Sequence, residues 1–149
     1  TAPASADSAR RPGETNRFEL SASAPIFDTS QLNALRTDSP SRWDDHRVGV
    51  IQLGDDGTVQ YINEAACQLP RLRDADLDAL HGKNFFTDLA LSTNNDLFRG
   101  RFEKGTQCDA MQVCFPYTFI APGHAPAVFN IHMHRHPQSS SNWILLDTP

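Results

Sequence analysis

The last third of the chain alternates. In "MQVCFPYTF", residues 111 to 119, Met111, Val113, Phe115, Tyr117 and Phe119 are apolar or aromatic, and the positions between them are mostly smaller or more polar. A period of two puts one face against a core and the other away from it, which predicts a strand. After the turn "APGHAP" the run "AVFNIHMHRH" repeats the pattern. Ala127, Phe129, Ile131 and Met133 fall on one side, and Asn130, His132, His134 and His136 on the other. "NWILLD" follows "PQSSS" as a third strand. Earlier, "VGVIQL" at 48 to 53 and "TVQYIN" flank "GDDG", a Gly and Asp turn that joins two strands into a hairpin.

Between these strand regions the pattern shortens into helical pieces. Asn63 can cap "EAACQL", and Asp74 can cap "ADLDALH" ahead of Gly82, a natural helix terminator. "NNDLFRGRFEKG", 94 to 105, has cap residues, a stripe of Leu97, Phe98 and Phe102, and a closing Gly105, which predict one more helix. Upstream, "IFDTSQLNALR" places Asp28 as N-cap with Gln31 three residues on, and Phe27 and Leu32 at hydrophobic-staple spacing. An amphipathic helix follows, with Leu32 and Leu35 on one face. Residues 1 to 25 are mostly Ala, Ser, Pro and charges without an apolar period, so they read as a disordered leader or linker. The element order predicts an α+β fold: a five-stranded antiparallel sheet with short helices on one face.

Composition narrows the functions. At 149 residues the chain suits one domain with a tail. A net charge of -5 and a pI near 5.6 supply no basic field for phosphates, which argues against nucleic acid as a direct partner. No apolar run approaches the roughly 18 residues of a spanning helix, and no signal-peptide core opens the chain. The expectation is a cytoplasmic protein with no membrane partner. Cys67, Cys108 and Cys114 form neither a CxxC pair nor an even framework, so they read as reduced, buried thiols. The chain starts at Thr1 without a methionine, which leaves open an origin in a longer protein.

Residues 49 to about 146 resemble the photoactive yellow protein family, small blue-light receptors of the PAS fold. The resemblance rests on "GVIQLGDDG", on "GKNFF" followed by Asp88 and Ala90, on the F-x-Y-T-F run at Phe115 to Phe119, and on "HM" at His132 and Met133, in that order. It implies a PAS domain over 48–149 and an N-terminal cap of short helices over 26–47 on the back of the sheet. In that family "GKNFF" leads to a cysteine that carries p-coumaric acid through a thioester. Counting from Gly82, that position is Ser92, and the proline before it is Leu91. A thiol is far more acidic than an alcohol and the better nucleophile near neutral pH, so serine is a poor substitute. The family's tyrosine and glutamate, which hold the chromophore's phenolate, align with Ile62 and Ala66. Tyr61 and Glu64 are neighbours, but a one-residue slip in a strand turns a side chain to the opposite face. Arg71 or Arg73 occupies the region of the pocket-gating arginine. The resemblance thus implies the scaffold without the light chemistry, and no covalent cofactor.

A cavity framed by Ile62, Ala66, Phe85, Ser92, Thr93 and Phe119 would be apolar, with two hydroxyls as anchors for a planar or acyl small molecule. Side chains filling that space are the equal alternative. His132, His134 and His136 share one strand face with alternate positions about 7 Å apart, which disfavours a shared metal and favours a polar outer face. If the cap lies on that face, acidification would charge it and loosen the cap. The expected function is a non-photoactive PAS sensor that binds an apolar or aromatic molecule non-covalently and signals through its cap or an oligomer interface. Two alternatives remain: an enzyme or accessory protein of secondary metabolism acting on an aryl or acyl thioester, and a pure interaction module forming a homodimer or binding a partner protein. Ser92 lacks a G-x-S-x-G elbow and an identifiable base, so no catalytic residue is assigned.

Overall fold

A computed structural model describes residues 17–69, 72, 76–136 and 141–148. Strands β1 (Arg17–Ser21), β2 (Gly49–Leu53), β3 (Val59–Ile62), β4 (Ala110–Phe119), β5 (Ala127–Arg135) and β6 (Asn142–Asp147) form one sheet in the order β1-β4-β5-β6-β2-β3. The five strands anticipated from alternation are present and pair antiparallel. The sixth corrects the expected sheet and the expected leader: β1 lies within residues 1–25 and pairs parallel to β4, from Arg17 opposite Ala110 to Ser21 opposite Cys114. Its Phe18 and Leu20 pack on the core while Arg17, Glu19 and Ser21 are exposed, so a short edge strand needs only two apolar residues. The rest of the anticipated leader before residue 17 lies outside the described residues.

Both faces of the sheet are covered. On the inner face, Ile51, Met111, Val113, Phe115, Ile131, Met133, Ile144 and Leu146 meet Phe85, Phe86, Phe98 and Phe102 from the helical segments. These segments are short. A 3-10 turn, Glu64–Gln68, follows Asn63, and helix α2 (Leu77–Leu80) is capped by Asp76; the anticipated cap at residue 74 is outside the described residues. The single helix expected over 94–105 is two pieces, a π turn Asp96–Gly100 and helix α3 (Arg101–Thr106). Among the described residues no helix is long and apolar enough to cross a membrane.

The outer face carries the cap. Its helix α1 (Thr29–Thr37) has both arms of the capping box: Asp28 Oδ1 accepts the Gln31 N–H at 2.8 Å, and Gln31 Oε1 accepts the Asp28 N–H at 3.0 Å. A 3-10 turn, Pro40–Trp43, follows. Phe27, Leu32, Leu35 and Trp43 pack on Val50, Tyr61, Trp143 and Leu145 as a second, separate core. Irregular pairing between β2 and β3 lets this happen: Gln52 opposes Tyr61 and Leu53 opposes Val59, so Gln60 is bulged out. Val59 therefore faces the inner core and Tyr61 the cap.

Asn63 joins these parts. It is 1 % exposed, and its Oδ1 accepts the N–H groups of Val50 (2.9 Å) and Ala66 (3.1 Å). Its Nδ2 donates to the carbonyls of Trp43 (2.8 Å) and Val48 (2.9 Å). Replacing it by alanine leaves up to four buried backbone groups without this partner. Asn63→Ala is expected to lower the unfolding free energy by about 3 kcal/mol in a urea titration. Asn63→Asp should cost at least as much, because a carboxylate would face two carbonyl oxygens; a stability unchanged in either variant would contradict the assignment.

Candidate functional site

"GKNFF" builds a pinned turn. Gly82 has φ +83°, and Asn84 Oδ1 accepts the Phe86 and Thr87 N–H groups at 2.9 and 3.1 Å while Asp88 Oδ2 accepts the Asn84 N–H at 2.9 Å. The reciprocal pair starts a π turn, Phe85–Leu89. Asn84 Nδ2 also donates to the Asp56 carbonyl, and the Phe85 N–H to that of Gly57. Gly57 has φ +89°, and a Cβ there would come within 2.9 Å of the Phe86 ring. The hairpin turn and the two phenylalanines thus fix each other, and the rings are sent into the core.

Those rings pack in the inner core with most of the residues anticipated to frame a pocket. Ile62, Ala66, Phe85, Thr93 and Phe119 are all at most 2 % exposed. Phe98 stands among them, with ring centroids 6.0 Å from Phe85, 5.7 Å from Phe115, 5.0 Å from Tyr117 and 5.9 Å from Phe119, mostly edge to face. Beside it is a recess of about 30 Å³ bordered by Leu89, Leu91, Ser92, Phe119 and Ile120. Of the six anticipated pocket residues, this recess brings together Ser92 and Phe119; Ile62, Ala66, Phe85 and Thr93 are not on its wall. Phe98 was read in the sequence only as part of a helix stripe.

Neither hydroxyl is idle. Thr93 Oγ1 donates to the Ala90 carbonyl at 2.6 Å and closes the turn. Ser92 is half-buried, and its Oγ accepts the Ile120 N–H at 3.2 Å, while Tyr117 Oη and Asn95 Nδ2 donate to its carbonyl. Ser92 therefore ties the helical segment to the end of β4. Tyr61, the near neighbour of Ile62, points to the cap side, and its hydroxyl donates to Asp44 at 2.7 Å. Burial first, then that carboxylate, pushes its pKa up. Glu64 borders a separate open trough of about 430 Å³ with Asp44, Asp45 and Cys67; although wider, the trough contains none of the anticipated pocket residues. Arg71 and Arg73 lie outside the described residues.

The histidine strand is the best-organised polar cluster. A solvated outer face was the simpler expectation; instead His132 is 0 % and His134 8 % exposed, because the chain entering α1 runs over them. His132 Nδ1 accepts the N–H groups of Ile26 (3.2 Å) and Phe27 (3.4 Å), which leaves the proton on Nε2, directed at Gln112 Oε1 3.0 Å away. His134 Nδ1 lies 2.8 Å from the same oxygen. An amide oxygen only accepts, so both rings donate to it, and His132, which also accepts at Nδ1, is neutral. Burial lowers each pKa to about 4, with His132 and His136 adding to the effect on His134. Gln112 was not singled out in the sequence, though its position directly across from His134 in the register is the signal that could have found it. Among the described residues no group of three His, Cys, Asp or Glu side chains could hold a metal ion.

No family model matches the chain. It is 32% identical over 114 residues to the photoactive yellow protein of Rhodothalassium salexigens, covering 76% of this chain and 88% of that one. The photoactive yellow protein of Cereibacter sphaeroides is 28% identical over 120 residues, 80% of this chain and 94% of the relative. Among solved structures, the photoactive yellow protein domain from the sensor histidine kinase Ppr of Rhodospirillum centenum superposes with a TM-score of 0.68 at 26% identity, over 78% of this chain and 99% of that domain. The 32% identity over 76% of the chain and the superposition at a TM-score of 0.68 establish that the chain belongs to the photoactive yellow protein family and has its PAS fold.

Proposed function

We propose that the protein is a non-photoactive PAS sensor whose output is the docked or released state of its N-terminal cap. The observation that carries this reading is the pair of cap amides, Ile26 and Phe27, held by the unprotonated nitrogen of a buried histidine on the sheet. Ser92 supports the non-photoactive part, since a hydroxyl stands at the position where the family resemblance puts the thioester cysteine. A small apolar or aromatic molecule remains the input most consistent with the apolar interior. The 30 Å³ recess has room for about one water, so such a ligand entering beside Ser92 has to displace the exposed Leu91 and Ile120. The cap reading depends on no such displacement.

Two measurements test it. Incubation with activated p-coumarate is expected to leave the chain unmodified; a stable yellow adduct would refute the non-photoactive reading. Acid should release the cap, because a proton on His132 Nδ1 removes the lone pair that both amides use. The titratable neighbours are His134 on the same strand, His136 beyond it, on β4 the Cys114 thiol, pushed up to about 11 by burial and neutral throughout, and in the cap His46, packed on Phe27 with its pKa lowered first by burial. Asp28 on the cap side is exposed and engaged with the Gln31 N–H.

The sign follows from the shift. His132 ordinarily titrates at 6.5 and is lowered to about 4 when the cap is docked, so the released state binds more protons between those values. Docking is fully favoured above about pH 6.5 and loses stability as the pH falls toward 4, by on the order of 2 kcal/mol at pH 5 from His132 alone. Cleavage within residues 26–45, normalised to a peptide substrate, should be several-fold faster at pH 5 than at pH 8. His132→Asn, which keeps an acceptor that does not titrate, should flatten that dependence; equal rates in the parent protein at both pH values would sink the proposal.

A further inference from the structure

The end of the cap-sheet junction opens into a groove of about 210 Å³ between α1 and the ends of β1, β4 and β5. Thr29 and Asn33 border it from the cap, Arg17 from the edge strand, and Gln112, His134 and Arg135 from the sheet, with Leu32 and Ala110 as its apolar surface. It is separate from the recess beside Ser92, with which it shares no residue.

His134 has unused hydrogen-bonding capacity here. Its Nδ1 carries the proton donated to Gln112 Oε1, so its Nε2 is a bare lone pair. Among the described residues that buried atom has no hydrogen-bond partner, although the residue is 8 % exposed and borders the groove. The ring cannot relieve this by reversing its tautomer, because an unprotonated Nδ1 would then face the Gln112 oxygen lone pair to lone pair at 2.8 Å. The neighbouring His132 cannot take over either, being fixed by the Ile26 and Phe27 amides. A buried acceptor left in this state is costly, and a ligand O–H or N–H would satisfy it.

The charges around the groove choose the rest of the ligand. Arg135 is committed to Asp55 at 2.6 Å, Asn142 at 2.9 Å and the Cys108 carbonyl at 3.1 Å. Among the described residues Arg17 meets Glu19 at 3.5 Å, and about half of its side chain is exposed, so an anion can reach its guanidinium. The volume is below the usual range for drug-sized ligands. We propose that this groove binds a small hydroxy acid, its hydroxyl donating to His134 Nε2, its carboxylate meeting Arg17, and its apolar part lying on Leu32 and Ala110. Such a molecule touches cap and sheet together, so it binds the docked state and holds the cap down. This second step rests on the cap-based reading; the binding site itself does not.

Mandelate, phenylacetate and benzyl alcohol separate the required groups, because the second lacks the hydroxyl and the third the carboxylate. Titrated into the whole chain and followed by backbone and histidine-ring NMR, mandelate is expected to give saturable shifts at Thr29, Asn33 and His134. Each truncated analogue should bind about tenfold more weakly, the factor corresponding to one net hydrogen bond or ion contact. Arg17→Gln, at an exposed position, should abolish the preference for mandelate over benzyl alcohol, and His134→Phe the preference over phenylacetate. No saturable shift with mandelate, equal binding of mandelate and phenylacetate to the parent protein, or shifts confined to Ser92 and Phe119 would overturn the proposal. Cap cleavage measured on the same samples distinguishes the two readings. Groove binding that leaves cleavage unchanged supports the site and overturns the holding down of the cap by the ligand, whereas acid release of the cap without mandelate binding overturns the site and supports the cap output.

Discussion

Both halves of the protein depend on one buried amide. Asn63 uses two acceptor and two donor positions at once, so its full hydrogen-bonding capacity is spent inside the fold. Its partners belong to three different parts: the last residue of the cap turn, the start of β2 with the residue before it, and the 3-10 turn on the inner side. Apolar packing alone does not fix register, because a greasy surface tolerates sliding; directed bonds to named carbonyls and amides do. The inner and outer cores are therefore registered to one another through a residue that belongs to neither.

A sheet covered on both faces explains the mixed appearance of its strands. "NWILLD" does not alternate, because Trp143 and Leu145 serve the cap core while Ile144 and Leu146 serve the inner one. β5 alternates apolar residues with histidines, because the chain above its outer face presents backbone amides at Ile26 and Phe27 as well as apolar side chains. The alternation that elsewhere marks a solvated face here marks a polar contact with the cap. Polarity in a strand pattern reports the chemistry of what faces it, whether water or protein.

The legible part of the sequence follows from this. Strands β2 to β6, the Asp28 capping box and the Asn63 cap are local signals, and each is present. β1 was hidden because two apolar residues in a charged, alanine-rich segment make no period, and its pairing partner lies more than ninety residues away. The family could be read from "GKNFF" and its companions because those residues serve the turn itself, through Asn84, Asp88 and Gly57. Whether the interior is open could not, since that depends on where Phe98 sends its ring: Leu97 beside it is 60 % exposed and Phe98 fully buried, in a π turn that an α-helical reading does not anticipate. The cap-sheet junction was half legible. The histidines and the cap were visible, but Gln112 acquires its role only through strand pairing.

The cap is held at its two ends by chemically different ties. At Trp43 and Val48 the donor is the Asn63 amide, which has no proton to gain or lose near neutral pH. At Ile26 and Phe27 the acceptor is an imidazole nitrogen that keeps its lone pair only while burial keeps the ring neutral. Between them, Phe27, Leu32, Leu35 and Trp43 supply attraction that is indifferent to charge. A proton on His132 thus acts at the Ile26 end, while at the other end His46, whose Nδ1 accepts the Val48 N–H at 3.1 Å and whose pKa is lowered first by burial, adds an imidazole acceptor beside the Asn63 bonds. On the proposed reading the His132 end is a latch, and the groove bordered by His134 opens beside it. Gln112, whose single oxygen receives both rings, couples the latch to that groove.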